Sequence, residues 1–346
     1  MWNPIRALKR RSLLPRRKYG RLGVTSVFAG VALLVILIAG WLIDRRSTNA
    51  DESAVAEVAR NASDDPVTAI AEAARAHRYV VLSDIHASGA AKRLAARAIE
   101  KIVATSGLDV LVLEIGTDMQ PVIDQYLEVA PEDASILVTN GRAIREPGPA
   151  TRDYLDIYRT VWKLNQKLGA DQRIQIIAAD LDGWPPARPV SPAERARKSA
   201  EREAHMQKRI QDVMNLNPRA RVLVFMTGFH ALKRGTGELQ TGGTTPVQIA
   251  WLATRLNRMA PEEVYSFLVD APAVGTTTDV TTYSGTTIPS ILQRSGVNRT
   301  FVTRMTPELD AISQPLIIRK SPGLSFDISP RDYKLSDVAD AYIHLK

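Results

Sequence analysis

The sequence predicts an α/β domain with a mainly parallel central sheet flanked by helices, preceded by one transmembrane helix. Two observations support this prediction. After residue 68, short apolar runs typical of buried strands alternate with longer segments of helical periodicity. Before them, residues 22–43 contain no charged side chain. A helix of that length, at about 1.5 Å per residue, crosses a hydrocarbon core about 30 Å thick.

The amino-terminal region is strongly basic, and its charges flank the apolar run unequally. Ten lysines and arginines lie within residues 1–46 against the single acid Asp44, and eight of the ten precede the run. The positive-inside rule then keeps the amino terminus in the cytoplasm and places the body in a bacterial periplasm. We expect residues 1–21 to be a cytoplasmic segment, 22–43 a helix in the lipid bilayer of the inner membrane, and 44–67 a polar tether with a short helix near residues 52–60.

A cleaved signal peptide is the competing interpretation of the apolar run. The run is longer than the usual h-region of about 7 to 15 residues, and no small-x-small cleavage site ends it. Trp41, Leu42, Ile43 and Asp44 follow instead. These features favour an uncleaved anchor.

Composition excludes several classes of function. The net charge of +8 comes from the amino-terminal region, because residues 47–346 hold 35 basic and 36 acidic side chains. The body therefore gives no support for a nucleic-acid partner. The chain has no cysteine, which excludes disulfides, thiolate metal sites, iron–sulfur clusters and a cysteine nucleophile. Any metal ion would need histidine or oxygen ligands.

Five buried strands are predicted at residues 79–82, 110–113, 174–178, 222–226 and 264–269. Between the first two, Leu94, Ala98 and Ile102 recur at helical spacing, with Lys92 and Arg93 assigned to the opposite, polar face. This pattern predicts an amphipathic helix and a βαβ unit with parallel strands.

Further elements follow in the remainder of the body. Helices are predicted over residues 152–168 and 247–257, and late strands over 315–318 and 341–345. A proline-dense segment from residue 183 leads into a long charged helix at 193–215. We interpret residues 183–217 as a helical insertion within one domain that spans residues 68–346.

Polar side chains follow the predicted strands at their carboxyl ends, the edge where function gathers in an open parallel sheet. Asp84 and His86 follow the first strand, Glu114 the second, Asp180 the third and His230 the fourth. Imidazoles with carboxylates make either a divalent metal site or an acid/base cluster. The structural alternative is that each acid caps the next helix and each histidine is a satisfied hydrogen-bonding group.

The segments VVLSDIHAS, VLVLEIGTDMQPVIDQYL and VLVFMTGFHALKRGTG resemble a known superfamily in their order and spacing. That superfamily joins ChaN-type haem-binding proteins, erythromycin esterases and the TraB/Tiki proteins. The segment Arg202-Glu203-Ala204-His205-Met206 is similar to a helix of the esterase branch. The likeness covers about residues 79–268, and it departs from the superfamily where Ser83-Asp84 stands in place of Gly-Glu.

The resemblance implies an α/β sandwich with a polar pocket built from Asp84, His86, Glu114 and His230. It also implies that Arg202 and Glu203 reach this pocket from the inserted helix and bind a cofactor or substrate there. The opposing interpretation places these two residues on a solvated helix face.

From the strand-end residues and the resemblance we expect a membrane-anchored, periplasm-facing hydrolase that cleaves ester or peptide bonds of a small molecule or peptide. In it, His86 activates water as a base or as a metal ligand, and Glu114 orients it or co-ligates a divalent metal ion. His230 ligates that ion or stabilises the developing oxyanion. A buried carboxylate beside His86 would hold the imidazole in one tautomer. The alternatives are a haem- or metal-binding protein for uptake or handling without catalysis, and a regulator or decayed enzyme.

Overall fold

The structure is a computed structural model. It describes residues 52–86, 88–139, 143–144, 150–184, 190–234, 236–239, 247–271, 292, 296–310, 317–321, 324–328 and 334–346. The predicted cytoplasmic segment, the predicted membrane helix at residues 22–43 and the first part of the tether lie outside these residues. Within the described ranges, no helix combines the length and the apolar character needed to cross a membrane.

Helices and strands alternate along most of the described chain. The helices are α1 at residues 52–61, α2 (Pro66–Ala76), α3 (Gly89–Thr105), α4 (Gln120–Glu128), α5 (Ser135–Thr139), α6 (Ala150–Asn165), α7 (Pro192–Leu216), α8 (Leu252–Met259), α9 (Pro307–Asp310) and α10 (Leu335–Val338). The strands are β1 (Tyr79–Asp84), β2 (Val110–Gly116), β3 (Gln175–Asp180), β4 (Val222–Thr227), β5 (Thr236–Leu239), β6 (Val247–Ala250), β7 (Val264–Asp270), β8 (Phe301–Arg304), β9 (Ile317–Ser321), β10 (Leu324–Ile328) and β11 (Ala341–His344).

Seven strands form the main sheet, in the order β3-β2-β4-β1-β7-β11-β8. Every neighbouring pair in it is parallel except β11 and β8. The carboxyl ends of β1, β2, β3 and β4 therefore meet at one edge of the sheet. Two antiparallel pairs, β5 with β6 and β9 with β10, lie outside this sheet.

Helices cover both faces of the sheet, because the buried strands alternate their apolar side chains between two cores. Tyr79 and Val81 of β1 pack with α1, α7 and α8, whereas Val80 and Leu82 pack with α2, α3 and α6. Period-two alternation of this kind is what a strand buried on both faces requires. The result is a three-layer α/β/α arrangement with the sheet in the middle.

Local sequence signals set where the helices begin. Ser191 caps α7 by accepting a hydrogen bond from the Glu194 amide at 3.2 Å, and Pro192 occupies the first helical position. Asp65 caps α2 in the same way, accepting from the Thr68 amide at 3.0 Å.

The predicted α/β class and the mainly parallel sheet are confirmed. All five early strands form, each running to or beyond its predicted carboxyl end. The late strands form at Ile317–Ser321 and Ala341–His344, with residues 315 and 316 outside the described part of the chain. The predicted helices at 152–168 and 193–215 are observed as α6 and α7.

The helix predicted over residues 247–257 is wrong in its first half. Residues 247–250 form strand β6, which pairs with β5, and the helix begins only at Leu252. The alternation of Val247 and Ile249 with Gln248 fits a strand, and β-branched residues favour that conformation. Ile249 is buried in the core.

Two further predictions differ from the structure. Lys92, expected on the polar face of α3, is fully buried, because it neutralises a buried carboxylate at the end of β1. In the tether predicted for residues 44–67, the short helix expected near residues 52–60 forms as α1 at residues 52–61. The segment is not a free linker there, because Val55 and Ala59 of α1 lie in the core. These two apolar side chains attach the segment to the body.

Candidate functional site

Glu114 lies at the centre of a buried charged cluster at the carboxyl edge of the sheet. The pairing of β2 with β3 shifts register between Leu113 and Gly116, so Glu114 lies in a local irregularity of the strand. Such irregularities re-aim a side chain, and they recur beside functional sites. Here the carboxylate meets side chains from α7, β4 and the turn after β4.

Arg202 of α7 connects the ends of β2 and β3. Its Nη2 donates to Glu114 Oε1 at 2.6 Å and to Asp180 Oδ2 at 2.6 Å, and its Nε donates to Asp180 Oδ1 at 2.8 Å. Both ends of this bidentate pair are buried. Burial lowers the pKa of Arg202, but Asp180 and Glu114 outweigh it, so the net shift is upward and the guanidinium stays charged.

The Arg202 guanidinium also lies over the ring of Trp184, 4.4 Å from the ring centroid. Trp184 follows the turn at the end of β3, where Gly183 has a positive φ of 68°. The Gly183 amide donates to Asp118 Oδ1 at 3.1 Å. The cation–π contact holds the start of the predicted insertion against the cluster. The turn before it needs a positive φ, which glycine adopts without strain.

His230 is a buried cation within the same cluster. Its Nε2 lies 3.3 Å from Glu114 Oε1, and its Nδ1 lies 2.8 Å from Glu203 Oε1. Burial lowers the pKa of His230, but the carboxylates of Glu203 and Glu114 outweigh burial and raise the pKa to about 10. At neutral pH the ring therefore carries both protons and a positive charge. It is not poised to accept a proton.

Asp84 and Lys92 form a second buried ion pair, on the α3 side of the sheet. Lys92 Nζ lies 2.8 Å from Asp84 Oδ1 and donates to the Ile85 carbonyl at 2.8 Å. Lys92 is fully buried and Asp84 is 5% exposed. A buried lysine is tolerated only with such a partner, so this pair fixes the backbone between β1 and α3 that carries His86.

His86 is the solvent-facing member of the predicted set, with its side chain 44% exposed. Its Nδ1 lies 3.9 Å from Asp84 Oδ2, which is beyond hydrogen-bond length. Its Nε2 lies 2.9 Å from Thr227 Oγ1. The Thr227 hydroxyl donates to Glu114 Oε2 at 2.6 Å, and the Thr227 amide donates to the same oxygen at 3.0 Å. Thr227 therefore connects the exposed imidazole to the buried cluster.

The predicted metal ligands do not fit a metal site. A ligating histidine must offer a lone pair, and the carboxylates beside His230 keep it protonated. Glu114 is engaged by Arg202 and Thr227. Among the residues that the structure describes, no group of three or more histidines and acids is arranged to hold a metal ion.

The structure brings all six predicted site residues to one edge of the sheet, but it divides them. Glu114, Arg202, Glu203 and His230 share the buried cluster, and Asp84 pairs with Lys92. The interpretation of Arg202 and Glu203 as a solvated face is wrong, because they are 8% and 1% exposed.

Sequence reasoning missed two residues that matter here. Thr227 ends the fourth strand, where the sequence pattern singles out only His230. Lys92 lies three and seven residues before Ala95 and Ile99, which are buried, so helical spacing places it on the apolar face. A lysine on that stripe is a signal of a buried acidic partner.

Comparison with solved structures identifies the fold. A mutant of erythromycin esterase EreC in its open conformation matches with a TM-score of 0.52 and 10% identity, over 79% of this chain and 91% of that one. A succinoglycan biosynthesis protein matches with a TM-score of 0.60 and 10% identity, over 86% and 97%. A Bacillus cereus protein matches with a TM-score of 0.50 and 10% identity, over 84% and 97%.

No family model matches the chain, and neither does any curated protein. At this level of identity the structural likeness concerns the fold and leaves the reaction open. The haem-binding and TraB/Tiki parts of the resemblance stay predictions. The α/β domain has the erythromycin esterase-like fold that the sequence motifs predicted.

Proposed function

We propose that the protein is a hydrolase of ester or peptide bonds in which His86 is the general base. The observation that carries this proposal is the setting of His86. It is a half-exposed imidazole, held through Thr227 on a buried, charge-paired platform at the carboxyl edge of the sheet. A base needs both access to a water molecule and a fixed orientation, and this setting supports both.

In the proposed step, His86 moves one proton from water to the leaving group. His86 takes one proton from a water molecule while the water oxygen bonds to the substrate carbonyl carbon. The imidazolium then returns that proton to the leaving oxygen or nitrogen as the scissile bond breaks. The carboxylate of Asp84, 3.9 Å from Nδ1, favours the positive charge that develops on the ring.

Glu114, Arg202, Glu203 and His230 have a positioning role in this proposal. They are buried and paired with one another, so they hold the strand ends and Thr227 in place without touching the substrate. This differs from the roles expected for Glu114 and His230 from the sequence. The reason is that His230 keeps both ring protons, so it offers no lone pair to a metal ion.

The test compares two histidine variants of the full-length protein. His86→Gln is expected to lower hydrolysis of p-nitrophenyl esters, short peptides or erythromycin by about 10²- to 10⁴-fold, the usual contribution of a general base. His77→Gln is the matched control, because His77 precedes β1 at the opposite edge of the sheet and contacts the Glu262 carbonyl. Equal activity in the two variants, with unchanged circular dichroism, would reject the proposal.

The location of the protein is part of the same proposal. Residues 22–43 anchor it in the inner membrane with the body in the periplasm, which the uncharged run and the eight preceding basic residues support. Extraction of membranes at alkaline pH should leave the protein in the pellet. Protease added to spheroplasts should cleave the body, and full protection would contradict this orientation.

Binding of haem or a metal ion stays a prediction that no contact among the described site residues favours.

A further inference from the structure

We propose that Thr227 is a positioning residue that fixes His86 in the Nε2–H tautomer, so that Nδ1 is the ring atom that accepts the proton. The tautomer rests on contacts in the structure alone. Its catalytic consequence rests on the function proposed above.

The argument begins with the single proton of the Thr227 hydroxyl. That hydroxyl has one hydrogen to donate and two lone pairs to accept with. Among the described side chains, two groups lie within hydrogen-bond distance of its oxygen, Glu114 Oε2 at 2.6 Å and His86 Nε2 at 2.9 Å. It can donate to one of them, and it must accept from the other.

The charge on Glu114 decides which group receives the proton. Arg202 Nη2 lies 2.6 Å from the other carboxylate oxygen, and the cationic ring of His230 lies 3.3 Å from it. A carboxylate balanced by these cations accepts hydrogen bonds and has no proton to give. The distance of 2.6 Å is in the range of a hydroxyl donating to an ionised oxygen. The Thr227 proton therefore points to Glu114.

His86 Nε2 must then donate to Thr227 Oγ1. If Nε2 carried a lone pair, two lone pairs would face each other at 2.9 Å. A neutral imidazole with its hydrogen on Nε2 has its lone pair on Nδ1. Asp84 Oδ2 lies on that side of the ring, 3.9 Å away, so a proton gained by Nδ1 has a carboxylate beside it.

The backbone makes this arrangement rigid. Thr227 is the last residue of β4, and its amide donates to Glu114 Oε2 at 3.0 Å. The hydroxyl is thus placed by a strand end and a buried carboxylate. The exposed His86 side chain gains a fixed orientation from this contact.

The direct test is the tautomer of His86 in the wild-type full-length protein. Nitrogen-15 NMR of the imidazoles is recorded at alkaline pH, with His86→Gln used for assignment. A protonated nitrogen and one with a lone pair have well-separated shifts. We expect the hydrogen on Nε2. A hydrogen on Nδ1 would overturn the proposal, and this measurement needs no variant at position 227.

A pair of variants tests the role of the hydroxyl. Thr227→Val keeps the shape of the side chain and removes the hydroxyl, whereas Thr227→Ser retains it. We expect the valine variant to populate both tautomers and to lose about three- to tenfold in kcat, the value of one neutral hydrogen bond, with little change in KM. The serine variant should keep the wild-type tautomer and rate.

A valine variant with the single wild-type tautomer would overturn the proposal. A tautomer shift in the valine variant without any loss in kcat would refute its catalytic part. Failure of the hydrolase proposal is distinguishable from both, because it would appear as unchanged hydrolysis in His86→Gln while the NMR result stands.

Discussion

Replacing Arg202 with methionine is expected to destabilise the fold more than any surface substitution on the same helix. Methionine keeps most of the length of the side chain and its packing against Trp184. It removes the cation that three hydrogen bonds, of 2.6, 2.6 and 2.8 Å, attach to Asp180 and Glu114. Asp180 then loses its charged partner, and Glu114 keeps only His230 as a neighbouring cation.

The magnitude follows from the burial of these groups. Asp180 is fully buried and Glu114 is 6% exposed, so water cannot replace the lost donors without a rearrangement. Breaking a buried ion pair by removal of one partner costs about 3–5 kcal/mol. Domains of ordinary stability have about 5–15 kcal/mol in total, so the loss is a large share. Arg202→Lys should lose less stability than Arg202→Met but should remain less stable than the wild type, because an ammonium keeps the charge but not the bidentate geometry.

The assay is urea unfolding of the full-length protein, followed by tryptophan fluorescence, with the midpoint compared at a constant slope. Arg197→Met is the matched control. Arg197 lies on the same helix with a 60% exposed side chain and pairs with Glu201, four residues on. That exposed pair is worth about 0.3–0.5 kcal/mol. If Arg202→Met cost no more stability than Arg197→Met, the buried ion pairs of Arg202 would not be a main source of the stability of the fold.

Two further predictions concern the other buried cations. The pKa of His230 is raised to about 10 when folded, so its contribution to stability should be present below its ordinary pKa of 6.5 and lost as the pH rises through 10. Between these two pH values, the unfolding free energy of the wild type, measured with urea, should fall by up to about 1.4 kcal/mol per pH unit relative to that of His230→Gln. If the unfolding free energies of the two proteins changed with pH in parallel, this prediction would be contradicted. Lys92→Met should destabilise by about 3–5 kcal/mol, because Asp84 stays buried without its cation. Lys101→Met, at an exposed position of α3, should change the midpoint little, and equal shifts in the two variants would refute the role of Lys92.

Local pattern was enough to predict the layout of the body. Apolar runs of strand length and the helical stripe with Leu94 and Ile102 depend on residues close in sequence, and these elements form as predicted. The error at residues 247–257 has the same origin, because a short apolar run fits either a helix or a strand. There, pairing with β5 decided the outcome.

Pairing between distant residues could not be predicted in the same way. Arg202 and Glu114 are 88 positions apart, and Thr227 and His86 are 141 positions apart. Nothing in the charged pattern of α7 distinguishes Arg202 from its exposed neighbours until the helix packs on the sheet. Thr227 became visible as a bridge only when the ends of β1, β2 and β4 lay side by side.

The sequence by itself determined which polar residues end the strands and therefore which edge of the sheet holds the site, because parallel topology collects strand ends at one edge. The tertiary structure decided what each of these residues does. Burial between carboxylates makes His230 a fixed cation, and exposure beside Thr227 leaves His86 accessible to solvent. The physical reason is that protonation and hydrogen bonding depend on neighbours in space, and for both histidines the decisive neighbours come from other strands and helices.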